Sequence, residues 1–260
     1  MTTRRALLLA TLSLAPLAAS AADVWVAGAT EKIRPDAQPR ASTEASLQAA
    51  RNEFESFQVV VRGPAKGVRV EASALASPAG QIDGVKLFRE ELISLGQPSA
   101  ADGGTGRWPD ALVPDVDDVV GEQRNAFPFD VPAGESRAVW VEYFVPAGAA
   151  SAVYRGGVKV TSAEGEATVP VTLAVWDFTL PSTSSLRTHF GLAYGVVAQG
   201  HGVSGDADAQ LRARYAQLGL DHRISLSGVA DDGSHRDLGH CDRFYGPLVA
   251  GTAPTRLEGA

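Results

Sequence analysis

Cysteine is almost absent from this chain of 260 residues, and its scarcity excludes a disulfide framework. The single cysteine, Cys241, has no partner for an intramolecular disulfide. Small exported domains that lack a sufficient core usually depend on disulfides. Stability is therefore predicted to come from a packed apolar core, for which the chain is long enough. Cys241 itself is interpreted as an ordinary thiol in preference to a nucleophile or metal ligand.

Positive charge is also in short supply. The chain has 23 lysine and arginine residues against 30 aspartate and glutamate residues, a formal net charge of −7 at pH 7. Nucleic-acid binding depends largely on a basic surface that neutralises phosphates. No basic stripe occurs here, so we expect no nucleic-acid partner.

Long apolar runs are missing except at the N-terminus. There Arg4 and Arg5 precede an apolar stretch, residues 6–18, and the small residues Ala19, Ser20 and Ala21 follow. This pattern is typical of a cleaved signal peptide over residues 1–21. It predicts an exported protein, periplasmic or secreted, with no stable membrane anchor after cleavage. Both the general secretory route and the twin-arginine route remain open.

Several catalytic motifs are absent as well. The sequence has no Gly-x-Ser-x-Gly elbow, no His-Glu-x-x-His pair and no paired cysteines for zinc. The glycines of residues 103–106 lack the lysine of a phosphate-binding loop. The spacing of Asp115, Asp117 and Asp118 does not fit a calcium loop. We therefore predict no cofactor and no metal site.

The most regular pattern present is an alternation over residues 169–178. Apolar residues of one face alternate there with a second set of side chains, which is the signature of a β-strand. Leu180 and Pro181 end the strand, and residues 182–185 form a short polar linker. This strand is predicted to close one domain and lead into the next.

The chain before the linker reads as strands separated by turns. Residues 56–61, 137–145 and 154–161 alternate in the same way, and about seven or eight such strands occur without a convincing helix. This organisation favours a mainly β fold, with a β-sandwich over residues 22–181. Residues 96–137 are predicted to form a long ordered irregular segment, laid across a sheet or against the next domain.

The spacing of apolar residues changes after the linker. Residues 186–192 predict a strand, Asp206 is expected to cap a helix that ends at Gly219, and residues 222–226 predict a second strand. Strand, helix and strand at this spacing indicate a βα unit of a parallel sheet. A closed barrel of eight such units needs at least about 200 residues. Residues 186–260 are therefore predicted to hold only the first units of an incomplete (β/α)8 barrel.

A set of ordered motifs carries a family resemblance. The segments are RNEFESFQ at residues 51–58, WPDALVP at 108–114, Trp140 with Val145-Pro146, Tyr154-Arg155-Gly156, VWDFTLP at 175–181, and HRIS at 222–225. Together they resemble the N-terminal part of glycoside hydrolase family 123-like proteins, bacterial exported proteins often described only as a domain of unknown function.

The resemblance implies a β-sandwich followed by a (β/α)8 barrel. Characterised members hydrolyse N-acetylgalactosaminides with retention, using the substrate's own acetamide as nucleophile, steered by an Asp-Glu pair in the barrel. That pair would lie later in the barrel than this chain reaches. No residue of this chain is therefore assigned a catalytic role.

Five residues are candidates for substrate contact. Trp108 and Asp110 lie in the long irregular segment, where the indole would either stack on a sugar or fill an apolar gap. His189 and Tyr194 lie on or just after the first predicted barrel strand, and strand ends of that kind face the active site in barrels. Arg223 is either a sugar ligand or a structural partner of barrel carboxylates.

The expected function follows from these points. The chain is interpreted as the N-terminal part of an exported glycoside-hydrolase-like protein acting on amino-sugar glycans, a retaining N-acetylhexosaminidase type whose catalytic pair is absent here. Its partner would be a glycan or amino-sugar polysaccharide. The alternative is a complete, non-catalytic carbohydrate-binding or cell-surface interaction module.

Overall fold

A computed structural model describes residues 22–118, 120–186, 188–233 and 237–257. The predicted leader, residues 1–21, lies outside this part of the chain. The described residues form a mainly β structure with several sheets and three helices. The strands are β1 (Asp23–Gly28), β2 (Ala45–Arg51), β3 (Glu53–Arg62), β4 (Ala65–Ala72), β5 (Leu75–Ser77), β6 (Gly80–Ile82), β7 (Gly84–Leu95), β8 (Gly106–Pro114), β9 (Phe129–Val131), β10 (Ser136–Val145), β11 (Val153–Ser162), β12 (Gly165–Thr179), β13 (Phe190–Gly191) and β14 (Leu226–Ser227). The helices are α1 (Tyr194–His201), α2 (Asp206–Asp221) and α3 (Leu238–Val249).

Two large sheets contain the strands that precede residue 180. One has five strands in the order β1-β3-β10-β7-β8, with antiparallel pairing throughout. The other has seven strands, with the order β2-β12-β11-β4-β9, with β5 beside β11 and with β6 beside β5. Its only parallel pair among the described strands is β2 with β12. The mainly antiparallel pairing explains the alternation of the sequence, because such sheets bury one face and expose the other.

One hydrophobic cluster includes side chains from both large sheets. The strand β12 contributes Val169, Val171, Leu173 and Val175, all buried, which confirms the alternation predicted for residues 169–175. The five-stranded sheet contributes residues of β3 and β10 to the same cluster. The buried Tyr143 hydroxyl of β10 donates to the carbonyl of Ser73, 3.1 Å away. Burial of this apolar surface supplies the stability that disulfides do not.

The segment of residues 96–137 differs from the expectation of irregular structure. It contains β8, which pairs with β7 at one edge of the five-stranded sheet, and the short β9. Pro109 lies within β8 and cannot donate a backbone hydrogen bond. An edge strand tolerates this, because one side of its backbone has no strand partner. The prolines therefore concealed a strand in the sequence.

The elements after the linker also differ in extent from the prediction. The strands β13 and β14 have two residues each, and α1 and α3 were not predicted. Helix α2 includes Asp206, the cap position is Gly205, and the helix continues to Asp221. Gly219 lies within it, where a Cβ atom would approach the Ile224 carbonyl to 2.9 Å. This glycine allows a close chain approach and does not end the helix.

The helices of the described residues are too short or too polar to span a membrane.

Candidate functional site

The parallel pair β13–β14 brings together residues that follow the two strands. Phe190 is paired with Leu226, and Gly191 with Ser227. Because parallel strands end at the same edge, the residues after them converge, and ligands of open parallel sheets bind at that edge. The Tyr194 hydroxyl donates to the Ser227 carbonyl at 2.9 Å. Polar side chains at this edge are therefore candidates for ligand contact.

A buried arginine joins helix α2 to this edge. The Arg212 guanidinium lies 4.7 Å from the centre of the Tyr194 ring. Its Nε donates to Asp208 Oδ2 at 3.0 Å, and its Nη1 donates to the Asp231 carbonyl at 3.1 Å. A buried charge is tolerated when an opposite charge and hydrogen bonds satisfy it. Arg212 therefore connects the ends of both strands to α2.

The most buried carboxylate at this edge is Asp232. It accepts a hydrogen bond from the Tyr245 hydroxyl at 2.7 Å and lies 2.8 Å from His240 Nε2. Burial, followed by the hydrogen bond to Asp232, raises the pKa of Tyr245 above its ordinary value. On the other side of the imidazole, Nδ1 lies 3.7 Å from Asp206 Oδ1. We call Tyr194, Arg212, Asp232, His240 and Tyr245 the Asp232 cluster.

The Asp232 cluster holds a carboxylate and an imidazole in a defined orientation. Nε2 of His240 faces Asp232, while Nδ1 faces the exposed Asp206, whose other oxygen is 2.7 Å from Arg243 Nη2. These contacts, one at each ring nitrogen, fix the orientation of the imidazole. Among the described residues, no three His, Cys, Asp or Glu side chains are grouped so as to bind a metal ion.

Replacing Tyr245 with phenylalanine should destabilise helix α3 locally. The change removes a donor from a buried carboxylate, and hydrogen bonds to charged groups contribute about 1.5–3 kcal/mol. Since His240 still faces Asp232, we expect a loss of about 1–2 kcal/mol. Amide hydrogen exchange of α3 measures this loss. Tyr215→Phe is the control, because its hydroxyl contacts only the exposed His201 ring in this region; equal effects of both changes would contradict the prediction.

The five residues predicted from the sequence lie in three places. Tyr194 belongs to the Asp232 cluster, and His189 is exposed immediately before β13. Trp108 and Asp110 lie on β8 of the five-stranded sheet. The Trp108 ring lies 4.4 Å from the Arg34 guanidinium, and its Nε1 donates to the Thr105 carbonyl at 3.1 Å. These contacts favour the gap-filling interpretation of Trp108.

Arg223 lies at the junction between the strand-rich part and the segment after the linker. Its Nε donates to the Pro181 carbonyl at 2.8 Å, and its Nη2 donates to the Asn52 carbonyl at 2.5 Å. Burial lowers the pKa of this guanidinium. Arg256 makes a second contact there, with Glu142 at 2.7 Å and the Phe54 ring at 4.0 Å. Arg223 thus holds backbone carbonyls, whereas the sequence suggested carboxylates or a sugar.

Four members of the Asp232 cluster were missed in the sequence. Asp232, Arg212, His240 and Tyr245 were not singled out as site candidates. Asp232 is 8 residues from His240 and 13 from Tyr245. No local motif has this spacing. The available signal was the concentration of charged and aromatic residues that follow the second predicted strand.

Comparison with known proteins supports a fold relationship. No protein-family model and no curated protein sequence matches the chain. Among solved structures, a family 123 glycoside hydrolase from Clostridium perfringens, studied for glycolipid glycan hydrolysis, superposes with a TM-score of 0.59 and 15% identity. The match covers 78% of this chain and 36% of the hydrolase, so this chain spans about a third of that protein.

Two further structural matches have low TM-scores. The CooA pilin subunit of enterotoxigenic Escherichia coli matches with a TM-score of 0.27 and 16% identity, over 59% of this chain and 99% of the pilin. The MyfA fimbrial subunit of Yersinia enterocolitica matches with a TM-score of 0.26 and 14% identity, over 59% of this chain and 98% of the subunit. The match to the hydrolase alone shows that this chain has a fold like that of a family 123 glycoside hydrolase over 78% of its length.

Proposed function

We propose that this chain is the N-terminal part of an exported glycoside-hydrolase-like protein that acts on amino-sugar glycans. In this proposal residues 22–181 form a β-sandwich, residues 182–185 are the linker, and residues 186–260 begin a (β/α)8 barrel. Residues 1–21 would be the signal peptide that directs export. The chain would not be catalytic by itself.

The observation that carries the proposal is the parallel β13–β14 pair after two mainly antiparallel sheets. Helices α1 and α2 lie between the two parallel strands in the sequence. Strand, helices and parallel strand form the crossover unit from which α/β barrels are built. The similarity to the Clostridium perfringens hydrolase extends over 78% of this chain, and it supports the glycoside-hydrolase-like part of the proposal.

The surface of the last segment also supports an incomplete α/β domain. Leu186, Leu238 and Val249 are each at least three-quarters exposed, and Phe190 of β13 is about half exposed. Strand β14 is paired only with β13 among the described strands. A parallel sheet is normally covered on both faces and continued at its edges. Further strands and helices would cover these side chains in a complete barrel.

No catalytic pair is assigned in this chain, so we propose no hydrolysis by this chain alone. The Asp232 cluster lies at the edge where a barrel active site would form, but its groups are engaged with one another. It would orient the ends of the first two strands for residues supplied later in a barrel. The alternative function, a non-catalytic carbohydrate-binding or cell-surface module, needs only the strand-rich part.

Limited proteolysis combined with a turnover assay tests the proposal. We expect the first cleavages within residues 186–257, leaving a resistant fragment that begins near residue 22 and ends near residue 181. Aryl N-acetylgalactosaminides and N-acetylglucosaminides should not be hydrolysed, because the carboxylate pair would be missing. Equal resistance of both parts would contradict the incomplete barrel, and robust hydrolysis would contradict the location of the catalytic residues. The N-terminus of the native exported product should follow residue 21 or 22.

A further inference from the structure

A cleft of about 470 Å³ lies between the strand-rich part of the chain and helix α2. Sites for small molecules usually have volumes of about 300–1,000 Å³ and often lie where two structural parts meet. The lining residues are Asp117, Val120, Glu122 and Arg124 from the strand-rich part, and His201, Leu211, Arg214, Tyr215 and Leu218 from α1 and α2. We call this space the hairpin–helix cleft.

One wall of the hairpin–helix cleft is the turn closed by an antiparallel bridge between Val116 and Gln123. The Asp117 amide donates to the Glu122 carbonyl at 2.9 Å, so these two acidic residues are neighbours across the turn. The Arg124 guanidinium lies 2.8 Å from Glu122 and 3.6 Å from Asp117. This wall therefore carries two carboxylates and one guanidinium, which leaves one negative charge in excess. We call it the acidic hairpin.

The opposite wall is one face of helix α2. Leu211, Arg214, Tyr215 and Leu218 follow the spacing i, i+3, i+4 and i+7, which places them on the same side of a helix. Arg214 is partly buried, and its guanidinium has no hydrogen-bond or ion-pair partner in the part of the chain that the structure describes. A partly buried charge is stabilised by an opposite charge. The helix wall therefore has one positive charge that a ligand can match.

Apolar side chains of both walls are exposed between these charges. Leu218 is 53% exposed and Val120 is 42% exposed. At the α1 side, the Tyr215 hydroxyl lies 3.2 Å from Nε2 of His201. Ligand sites typically combine an apolar lining with a few polar groups that fix orientation. A ligand that fits this cleft therefore needs an apolar body with a negative end and a positive end.

We propose that the hairpin–helix cleft binds a short apolar peptide with free termini. The terminal carboxylate would accept hydrogen bonds from Arg214, and the terminal ammonium group would donate to the acidic hairpin. The apolar side chains of the peptide would pack between Leu211, Leu218 and Val120. Capture of free peptide termini by protein charges is a known mode of recognition. The site does not include the Asp232 cluster, so it goes beyond the proposed function.

The position of the charges favours a dipeptide over a free amino acid. Within the described residues, no N–O pair closer than 4.0 Å joins Arg214 to Glu122. The two charges therefore lie on separate walls. A free amino acid carries both of its charges on one carbon atom, whereas a dipeptide places them at opposite ends of an extended backbone.

Heteronuclear NMR titration of the full chain with leucyl-leucine tests the proposal. We expect saturable shifts of the backbone amides of Val120, Leu211 and Leu218. Leucyl-leucinamide lacks the carboxylate and should bind up to about tenfold more weakly, because Arg214 is partly buried. N-acetyl-leucyl-leucine lacks the ammonium group and should bind about threefold more weakly, because the hairpin carboxylates are more exposed. Diglycine and free leucine should bind more weakly than leucyl-leucine.

Two variants assign the ends of the peptide. Arg214→Gln should weaken leucyl-leucine binding by up to about tenfold and leave leucyl-leucinamide binding unchanged. Glu122→Gln should weaken leucyl-leucine binding about threefold and leave binding of the acetylated peptide unchanged. Arg69→Gln and Glu44→Gln are the matched controls, because both side chains are exposed and lie outside the cleft. Neither control should alter the affinity.

Four results would overturn the proposal. They are no saturable shifts at millimolar leucyl-leucine, shifts confined to residues outside the cleft, equal affinities of the free, amidated and acetylated peptides, and an unchanged affinity after Arg214→Gln. Coupling of Arg214→Gln with Glu122→Gln in urea unfolding of the ligand-free chain would also contradict it, since the two residues would then pair with each other. None of these results alters the protease pattern of the ligand-free chain or its turnover of aryl glycosides, so failure of this site is distinguishable from failure of the proposed function.

Discussion

Replacing Asn52 with alanine is expected to lower the free energy of unfolding by about 2–4 kcal/mol. Asn52 is buried between β2 and β3 with a backbone φ of 59°. Its Nδ2 donates to the Leu180 carbonyl at 2.9 Å and to Ser182 Oγ at 3.1 Å. Alanine disfavours the left-handed conformation and supplies no donor for the two acceptors. Urea unfolding, followed by tryptophan fluorescence, measures the loss.

Two control variants separate the causes of this loss. Asn125 has a similar φ of 52° but is exposed, so Asn125→Ala reports the backbone cost, about 1 kcal/mol. Asn52→Gly removes the hydrogen bonds and keeps the backbone unstrained. If Asn52→Ala lowered the free energy of unfolding no more than Asn125→Ala, the hydrogen bonds from Asn52 to Leu180 and Ser182 would contribute nothing to stability.

Asn52 also lies at the junction between the strand-rich part and the segment after the linker. The Asn52 carbonyl accepts from Arg223, so a displaced backbone at residue 52 would weaken the attachment of the segment after the linker. Limited proteolysis of Asn52→Ala should therefore cut this segment faster than in the unmodified chain. Retention of the original cleavage rate would show that Arg256 and Phe54 hold the junction without Asn52.

The stability of the protein is expected to fall between about pH 4.5 and pH 7 because of Glu90. Glu90 is 7% exposed, and burial raises its pKa from 4.5 to about 7, although the positive charge of Lys32 opposes the shift. The folded state therefore holds this proton more tightly than the unfolded state. The stability that the protonated carboxyl contributes is complete below pH 4.5 and is lost as pH rises through 7.

Glu90→Gln should remove this dependence. Each unit of pKa difference corresponds to about 1.4 kcal/mol, so the variant should gain up to about 3 kcal/mol over the unmodified protein at pH 8. At pH 4 the two proteins should differ little, because both side chains are then neutral. Urea unfolding at the two pH values gives the comparison. Glu91→Gln is the control, because Glu91 is exposed and pairs with Arg89 at 2.7 Å; the same pH response in both variants would contradict the assignment to Glu90.

Strands could be predicted from the sequence where apolar and polar side chains alternate regularly along a single strand. The alternation of β12, from Val169 to Val175, and that of β10 are visible in the sequence because a side chain's face depends only on its neighbours two positions away. The strand β8 was missed because Pro109 is acceptable only at a sheet edge, and the position of an edge depends on the order of strands. Helix α2 was predicted from its apolar spacing, but its C-terminal end was not. Gly219 was interpreted as the end of the helix, whereas it lies inside α2 and allows the chain at Ile224 to approach closely.

The candidate site was less predictable than the strands. Tyr194 was identified from its position after a strand, and it does contact the end of the second strand through Ser227. Asp232, His240 and Tyr245 carry no motif, because their contacts join a turn to the helix that follows. Trp176 and Phe178 were visible as residues of a strand, but their exposure depends on which face of β12 the core covers.

The amino-acid sequence by itself determined the mainly β character of the front part, the change of period after residue 181 and the need for a core without disulfides. These properties follow from local spacing and composition. Only the tertiary structure decided that Arg223 contacts Asn52, 171 residues away, that Asp232 is buried, and that two aromatic rings remain exposed. Such features depend on which elements pack together, and packing brings together residues whose separation in the chain carries no signal.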